Sequence, residues 1–369
     1  MRMYTFYVEP FEKSPNAQSI EGFVDRVIKG IWPDDFEKAK EKFNVFISDG
    51  AHTMTSCANE LKKKYPNLTT VTCVAHALHL VCEEIKKSFG DVNEFVGLMK
   101  QALARAPNRR KKYLELFEDS SQMGSLLDQL EHSIEENQLT DQEFVAPLKV
   151  PNPKANSLPP QPVQTRWGSW LLTVLYYYHH FDQAIRFVKD VLGTEVGNNR
   201  DEKERIGRLV ELVTSNEEKI RKDMNFIYDQ YCLLPLFITE LETRSIPANQ
   251  SFAMVKKATD YVKRSTDDNI SNDMVDIAKR VYNKMQNLWR KNCGLKDICE
   301  RVQIDPKLLY SQLVSVPCES LFSLFRGLLN NLGSSISPET VADRLFGTAN
   351  IAGRRALYQK VPVALFFFC

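Results

Sequence analysis

The chain has almost no net charge: 48 lysines and arginines stand against 47 aspartates and glutamates, a formal +1 over 369 residues. A protein that coats nucleic acid with its whole surface needs a basic excess, so any basic surface here must be local. Long hydrophobic runs are also missing. No stretch approaches the ~20 apolar residues that cross a bilayer, and the apolar ending VALFFFC is far too short. The N-terminal MRMYTFYVEPFEK lacks the apolar core of a signal peptide. Eight cysteines, at 57, 73, 82, 232, 293, 299, 318 and 369, show no regular spacing. They do not read as a disulfide framework, which favours a reducing compartment. No internal repeat and no compositional mark of disorder, collagen or coiled coil is present. These absences predict a soluble intracellular protein with no membrane partner. Its 43% apolar content is ample for two or three packed units.

What is there begins as an alternation. Tyr4 to Val8 reads as a short strand. Ile20, Phe23, Val24, Val27, Ile28 and Ile31 fall at helical spacing until Pro33. Asn44-Val-Phe-Ile-Ser48 suits a strand covered on both faces, and Asp49-Gly50 then leads to a helix from Ala51 to about Lys64. Leu68 to Thr72 is a further strand, and another helix begins near Cys73. Strand, helix, strand, helix, strand, helix is an α/β pattern with parallel neighbours. After Phe95 the character turns helical. Prolines at 147, 151, 153, 159, 160 and 162 forbid regular structure over 147–162. The last expected helix runs from Cys318 to Asn331, with Leu321, Phe322, Phe325, Leu328 and Leu329 on one face.

Four places could carry chemistry. Asp49 ends a buried strand, where open α/β sheets bind ligands and a carboxylate can hold a divalent metal; the plainer reading is a turn residue before Gly50. Glu319 opens the last helix, where a negative charge is favourable in any case. Cys73, His76, His79 and Cys82 follow one another every third residue. On a helix, however, Cys73 and Cys82 stand about 13 Å apart at ~1.5 Å per residue, too far for ligands ~2.3 Å from one zinc. Buried, hydrogen-bonded groups are the expectation there, and no zinc. Arg166 and Trp167, directly after the proline-rich arm, offer a phosphate contact and a stacking surface for an unpaired base. Such a pair is also common in cores. The basic cluster Arg105, Arg109, Arg110, Lys111 and Lys112 reads as a solvated face.

In order along the chain, Ile47-Ser-Asp49-Gly-Ala-His-Thr-Met54, Cys73-Val-Ala-His76-Ala-Leu-His-Leu, Thr165-Arg-Trp167 and Pro317-Cys-Glu319-Ser-Leu-Phe-Ser323 resemble the motif series of the hAT-superfamily DNA transposases, over about residues 4 to 345. The resemblance implies an RNase H-like core interrupted by a large helical insertion, helix-dominated overall. Residues 1–95 would form the first part of that core, 96–310 the insertion, 311–345 the catalytic helix with its dimerisation segment, and 346–369 a divergent tail. It implies two-metal DNA strand transfer, in which two Asp and one Glu hold paired Mg²⁺ ions. Asp49 would be the second acid and Glu319 the third. Cys73 and His76 would support the site and nearby DNA, and Trp167 would stack on a flipped base beside Arg166. DNA and a second subunit would be the partners, in the nucleus.

Departures from the family pattern temper the activity. The strands at 4–8, 44–48 and 68–72 fit the third to fifth of that fold. The first two, the first of which carries the first Asp, would precede Met1. Ser320 stands where an Arg often follows the Glu, and no BED-type zinc finger is visible. A truncated, catalytically inactive protein that retains DNA contact and dimerisation is therefore the expectation. The alternatives are a domesticated DNA- or chromatin-binding regulator, a plain helical scaffold, and an active Mg²⁺-dependent transposase if further N-terminal sequence supplies the first Asp. In the family the first strand lies beside the fourth. Either another segment fills that gap here, or exposed strand edges make the protein poorly soluble.

Overall fold

The computed structural model describes residues 15–31, 36–118, 157–162, 167–195, 200–243, 247–266, 272–302, 313 and 363–367. The chain is helix-dominated. In order it forms α1 (Ala17–Ile31), α2 (Phe36–Lys42), β1 (Phe43–Ser48), α3 (His52–Lys64), β2 (Thr69–Thr72), α4 (Val74–Ser88), α5 (Gly90–Leu103) and α6 (Pro107–Glu118). There follow α7 (Trp167–His179), α8 (Phe181–Arg186) with a π-helical turn (Phe187–Leu192), and α9 (Arg200–Tyr231). Last come α10 (Leu234–Thr243), α11 (Ala248–Lys263), α12 (Asn272–Lys291), α13 (Cys293–Val302) and β3 (Val363–Phe367). The expected strand at 4–8 and the helix at 318–331 lie outside the described residues. Two compact units result: residues 1–78, 238–260 and 283–369 form one, and 79–237 with 261–282 the other.

The first unit holds a three-stranded sheet, ordered β2-β1-β3, with both pairings parallel. β1 is central, and five of its six residues are buried, which accounts for its near-continuous apolar run. β2 alternates buried and half-buried residues instead. One layer of core packs α1 and α3 against β1: Ile20, Val24 and Ile28 meet Phe43, Phe46, Met54, Cys57 and Leu61. Phe43 stands edge-on to Tyr65 with ring centroids 5.1 Å apart. The Tyr65 hydroxyl donates to Asp25 (2.8 Å) and Lys64 pairs with the same carboxylate. Asp25 thus serves to join α1 to the end of α3.

The flank of β1 expected to lie open is occupied. Val363–Phe367 runs parallel beside it, with Val45 opposite Ala364 and Ser48 opposite Phe367; an irregularity at Asn44 separates these pairs from Phe43–Val363. Val363–Phe367, within the tail that breaks from the family pattern, is therefore a strand of the sheet. On the other flank, β2 is covered by the α12–α13 junction. The Asn292 side chain both accepts from Thr72 N–H (3.0 Å) and donates to Thr72 C=O (2.8 Å), pairing as a strand would. Gly294 lies against the β2 backbone, and Arg301 donates to Asn67 C=O (2.9 Å) and Thr69 Oγ1 (2.6 Å). A helix over a sheet edge removes it as a template for pairing with other chains.

The second unit is helical and rich in rings. α5 and α7 pack on α9, with Phe95 edge-on to Tyr177 at 5.2 Å. α9 bends at Asn216, whose backbone leaves helical geometry while its side chain donates to Asp91 (3.3 Å). The arm at 157–162 is irregular, as its prolines dictate, yet it is pinned: Lys100 Nζ donates to Pro162 C=O (2.8 Å) and Thr173 to Pro160 C=O (2.9 Å).

His180 sits between Phe117 and Tyr176, 5.0 and 4.7 Å from their ring centroids. Its Nε2 is buried without a hydrogen-bond partner. Burial, and secondarily His179, push its pKa down to about 4 from an ordinary 6.5. A depressed histidine pKa means that the unfolded chain binds the proton more readily. The stability contribution is thus complete above pH ~6.5 and is lost as pH falls toward 4. With allowance for partial solvation, the loss is on the order of 1–2 kcal/mol. Urea denaturation at pH 7 and pH 4.5 should show this fall, and His180→Phe should flatten it by that amount; an unchanged pH slope in the variant would assign the effect elsewhere.

Candidate functional site

Two neighbouring strand tips build the site. β1 and β2 are parallel and in register with Ser48 opposite Thr72, so Asp49 and Cys73 are the first residues beyond adjacent C-terminal ends. Cys73 N–H donates to Ser48 C=O at 2.8 Å, which ties the two exits together. Gly50 is required between Asp49 and α3. Its φ is +83°, and a Cβ there would lie 2.8 Å from Thr72 Cγ2; only glycine accepts both the left-handed backbone and the close approach.

Each residue at these tips also has a local task. The Asp49 carboxylate accepts from Ala51 N–H (2.9 Å), closing the turn into α3; one of its oxygens is thereby committed to the backbone. Cys73 is 1% exposed and caps α4. Its Sγ accepts from His76 N–H (3.4 Å) and its carbonyl from Ala77 N–H (3.0 Å), so sulfur takes the part usually played by a serine or aspartate oxygen. The next N–H of that helix, Val74, donates to Leu313 C=O (3.1 Å). His76 follows on the first turn, half-buried.

His79 lies further along α4, is 4% exposed, and accepts at Nδ1 from Gly168 N–H (3.2 Å). Gly168 is in the first turn of α7, where backbone N–H groups have no partner within the helix. A buried imidazole thus anchors the helix that Trp167 opens. Cys82 is wholly buried, and burial pushes its thiol up to about 12, which keeps it protonated and unsuited to ligating a metal. The evenly spaced Cys and His of this stretch are a helix cap, a helix anchor and a core thiol, with His76 among them. Trp167 heads α7; its side chain, like Arg166 and Glu319, lies outside the described residues.

Among the described residues no three His, Cys, Asp or Glu side chains converge. The paired Mg²⁺ ions that the resemblance implies need several carboxylates. Asp49, with one oxygen engaged by Ala51, does not make that site by itself, and no chemical step is assigned to it. Of the basic cluster, Arg105, Arg110, Lys111 and Lys112 are exposed, as a solvated face would be, and Arg109 departs from that reading. Arg109 is buried and pairs with both Glu195 (2.6 Å) and Glu202 (2.8 Å), while Lys112 reaches Glu195 at 3.5 Å. The Arg109 charge is spent within the helical unit, because a buried guanidinium must be paired.

No family model matches the chain, and neither does any curated protein or solved structure. The functional reading therefore rests on residues and geometry.

Proposed function

We propose that this chain is a transposon-derived relative of the hAT transposases, nuclear, which contacts DNA and self-associates but does not carry out strand transfer. The observation that carries the reading is the register of the two strand tips. Asp49 stands beside Cys73, with His76 on the helix that follows, and this neighbourhood supports reading the motif series as part of an RNase H-like core. Loss of catalysis follows from what lies on the other side of β1. There the family has the strand with the first Asp, whereas Val363-Ala-Leu-Phe-Phe367 has no carboxylate. Asp49 and Glu319 would be two acids of a three-acid set. Mg²⁺ bound by the full set would activate the attacking oxygen and stabilise the leaving one.

Trp167 is the residue to test for DNA contact. Stacking of an unpaired base on an aromatic ring contributes about 1–3 kcal/mol. Trp167→Ala should therefore weaken binding to a hairpin or a single-stranded end by about 5- to 150-fold, measured by fluorescence anisotropy. Unchanged affinity would remove Trp167 from the site. In parallel, the full chain with Mg²⁺ should leave hairpin-forming duplex ends uncut. Cutting that vanishes in Asp49→Asn would overturn the inactive half of the proposal.

A further inference from the structure

The charge on α12 is one-sided. From Ile277 to Lys291 the sequence holds five cations, Lys279, Arg280, Lys284, Arg290 and Lys291, and no acid. At 100° per residue the buried Met274, Ala278, Val281 and Met285 form one face. The five cations, with Asn283 and Asn287 between them, form the opposite one. Arg280, Lys284, Asn287 and Lys291 line up over about 16 Å at ~1.5 Å per residue, and Lys279, Asn283 and Arg290 run beside them. Four of the five cations are exposed and Lys284 is half-buried.

These cations have no acidic partner among the described residues, although Arg290 donates to Asn287 Oδ1 (2.7 Å) along the same face. Elsewhere Arg208 pairs with Glu94, Lys219 with Asp91, Lys189 with Glu217 and Lys63 with Glu60. Other exposed cations, such as Lys203, Arg205 and Lys222, are scattered singly and form no ion pair among the described residues. Among the described residues no carboxylate comes within 4 Å of the five on α12. Asp273 and Asp276 are exposed on the same side of the helix one to two turns earlier, so five cations against two acids leave α12 with a local excess of three positive charges. In a chain with a formal charge of +1, such a row is basic surface of the local kind that overall neutrality allows.

We infer that the exposed face of α12 is a docking track for the phosphate backbone of duplex DNA, read without regard to sequence. The chemistry of the face selects this occupant. A protein partner needs apolar or aromatic anchors at its centre, and the exposed residues of α12 are charged side chains, asparagine and glutamine, with no exposed large apolar group among them. A membrane surface needs an apolar face free to enter the lipid, and the apolar face of α12 is buried. Phosphates need cations and neutral donors in a row. The inference rests on the proposed reading of DNA as the partner, but on a different surface from Trp167.

The test uses the full chain and a blunt 20-base-pair duplex, with affinity measured across a salt series. Replacing Lys279, Arg280, Lys284 and Lys291 together by Gln should lower affinity at least tenfold near 0.1 M salt. The slope of log affinity against log salt should become shallower by about 0.9 for each phosphate that is no longer neutralised. A variant with Lys279→Arg, Lys284→Arg and Lys291→Arg should bind as the parent does. A charge-matched control, with Lys111, Lys203, Arg205 and Lys222 replaced by Gln, should keep the parent slope. An equal loss in the control, or an unchanged slope in the α12 variant with its circular dichroism intact, would overturn the inference. So would α12-dependent binding to phosphatidylserine vesicles in place of the duplex. Trp167→Ala should leave the blunt-duplex slope unchanged, so failure of the α12 track and failure of the Trp167 reading give separate results.

Discussion

Gly294→Ala is expected to unfold the sheet unit, although alanine is normally the better helix former. A Cβ at this position would stand 1.9 Å from the Thr70 carbonyl oxygen and 2.7 Å from its carbon. Both neighbours are backbone of β2, so no side chain can rotate away. α13 must withdraw by an ångström or more, and with it go the Asn292 pair to Thr72 and the Arg301 bonds to Asn67 and Thr69. Overpacking of this kind costs about 1–3 kcal/mol. Leaving the Thr72 N–H and C=O without Asn292 adds about 1–3 kcal/mol for each group that stays dry. The sum rivals the whole stability of a typical domain, about 5–15 kcal/mol. Hydrogen exchange at Val45–Ser48 and Thr69–Thr72 reads the result directly, and protection there should collapse in the variant. Gly207→Ala is the control: Gly207 lies in α9, with open space where its Cβ would be, so alanine should gain up to ~1 kcal/mol. Retained protection in Gly294→Ala would mean that α13 does not press on β2.

That interaction shows where sequence reasoning stops. β1, β2 and the helices between them were legible because each carries its own periodicity over a few residues. Asn44 to Ser48 reads as a buried strand whatever else the chain does, and the observed β1 differs from that reading by one residue. The Asp49-Gly50 turn was legible for the same reason. Asn292 and Gly294 were not. Their partners lie some 220 residues away, and nothing near them distinguishes an asparagine that completes a sheet edge from one that ends a helix. His79 was visible as one of four evenly spaced groups, but its acceptance from Gly168 depends on how α4 and α7 pack. Arg109 looked solvated within α6 because Glu195 and Glu202, which pair with it, come from beyond α8. The tail misled in the opposite direction. Judged against a family pattern it was foreign, yet V-A-L-F-F has the strand-forming composition that a parallel partner of β1 needs.

Ending the chain after Pro362 should therefore remove a structural strand, and the expected outcome is loss of solubility together with loss of fold. β1 would keep β2 on one side and face water on the other along Phe43–Ser48, five of whose six residues are buried in the intact sheet. Each missing ladder bond costs about 0.5–1.5 kcal/mol net, so the pairing from Val45–Ala364 to Ser48–Phe367 accounts for several kcal/mol. The greater effect is kinetic, because an apolar strand with an open edge is a template for another copy of itself. Light scattering should rise with concentration in the truncated protein and stay flat in the parent. Truncation also removes apolar mass, so Leu365→Pro and Phe366→Pro, made separately, distinguish the two causes: successive N–H groups of a strand point to opposite sides, so one of the two keeps the tail but deletes an N–H from the ladder. If pairing is what matters, one of these two variants should aggregate nearly as readily as the truncation, while Leu365→Val should match the parent. A soluble, cooperatively melting chain ending at Pro362 would show that the edge of β1 is protected by something other than its C-terminal strand.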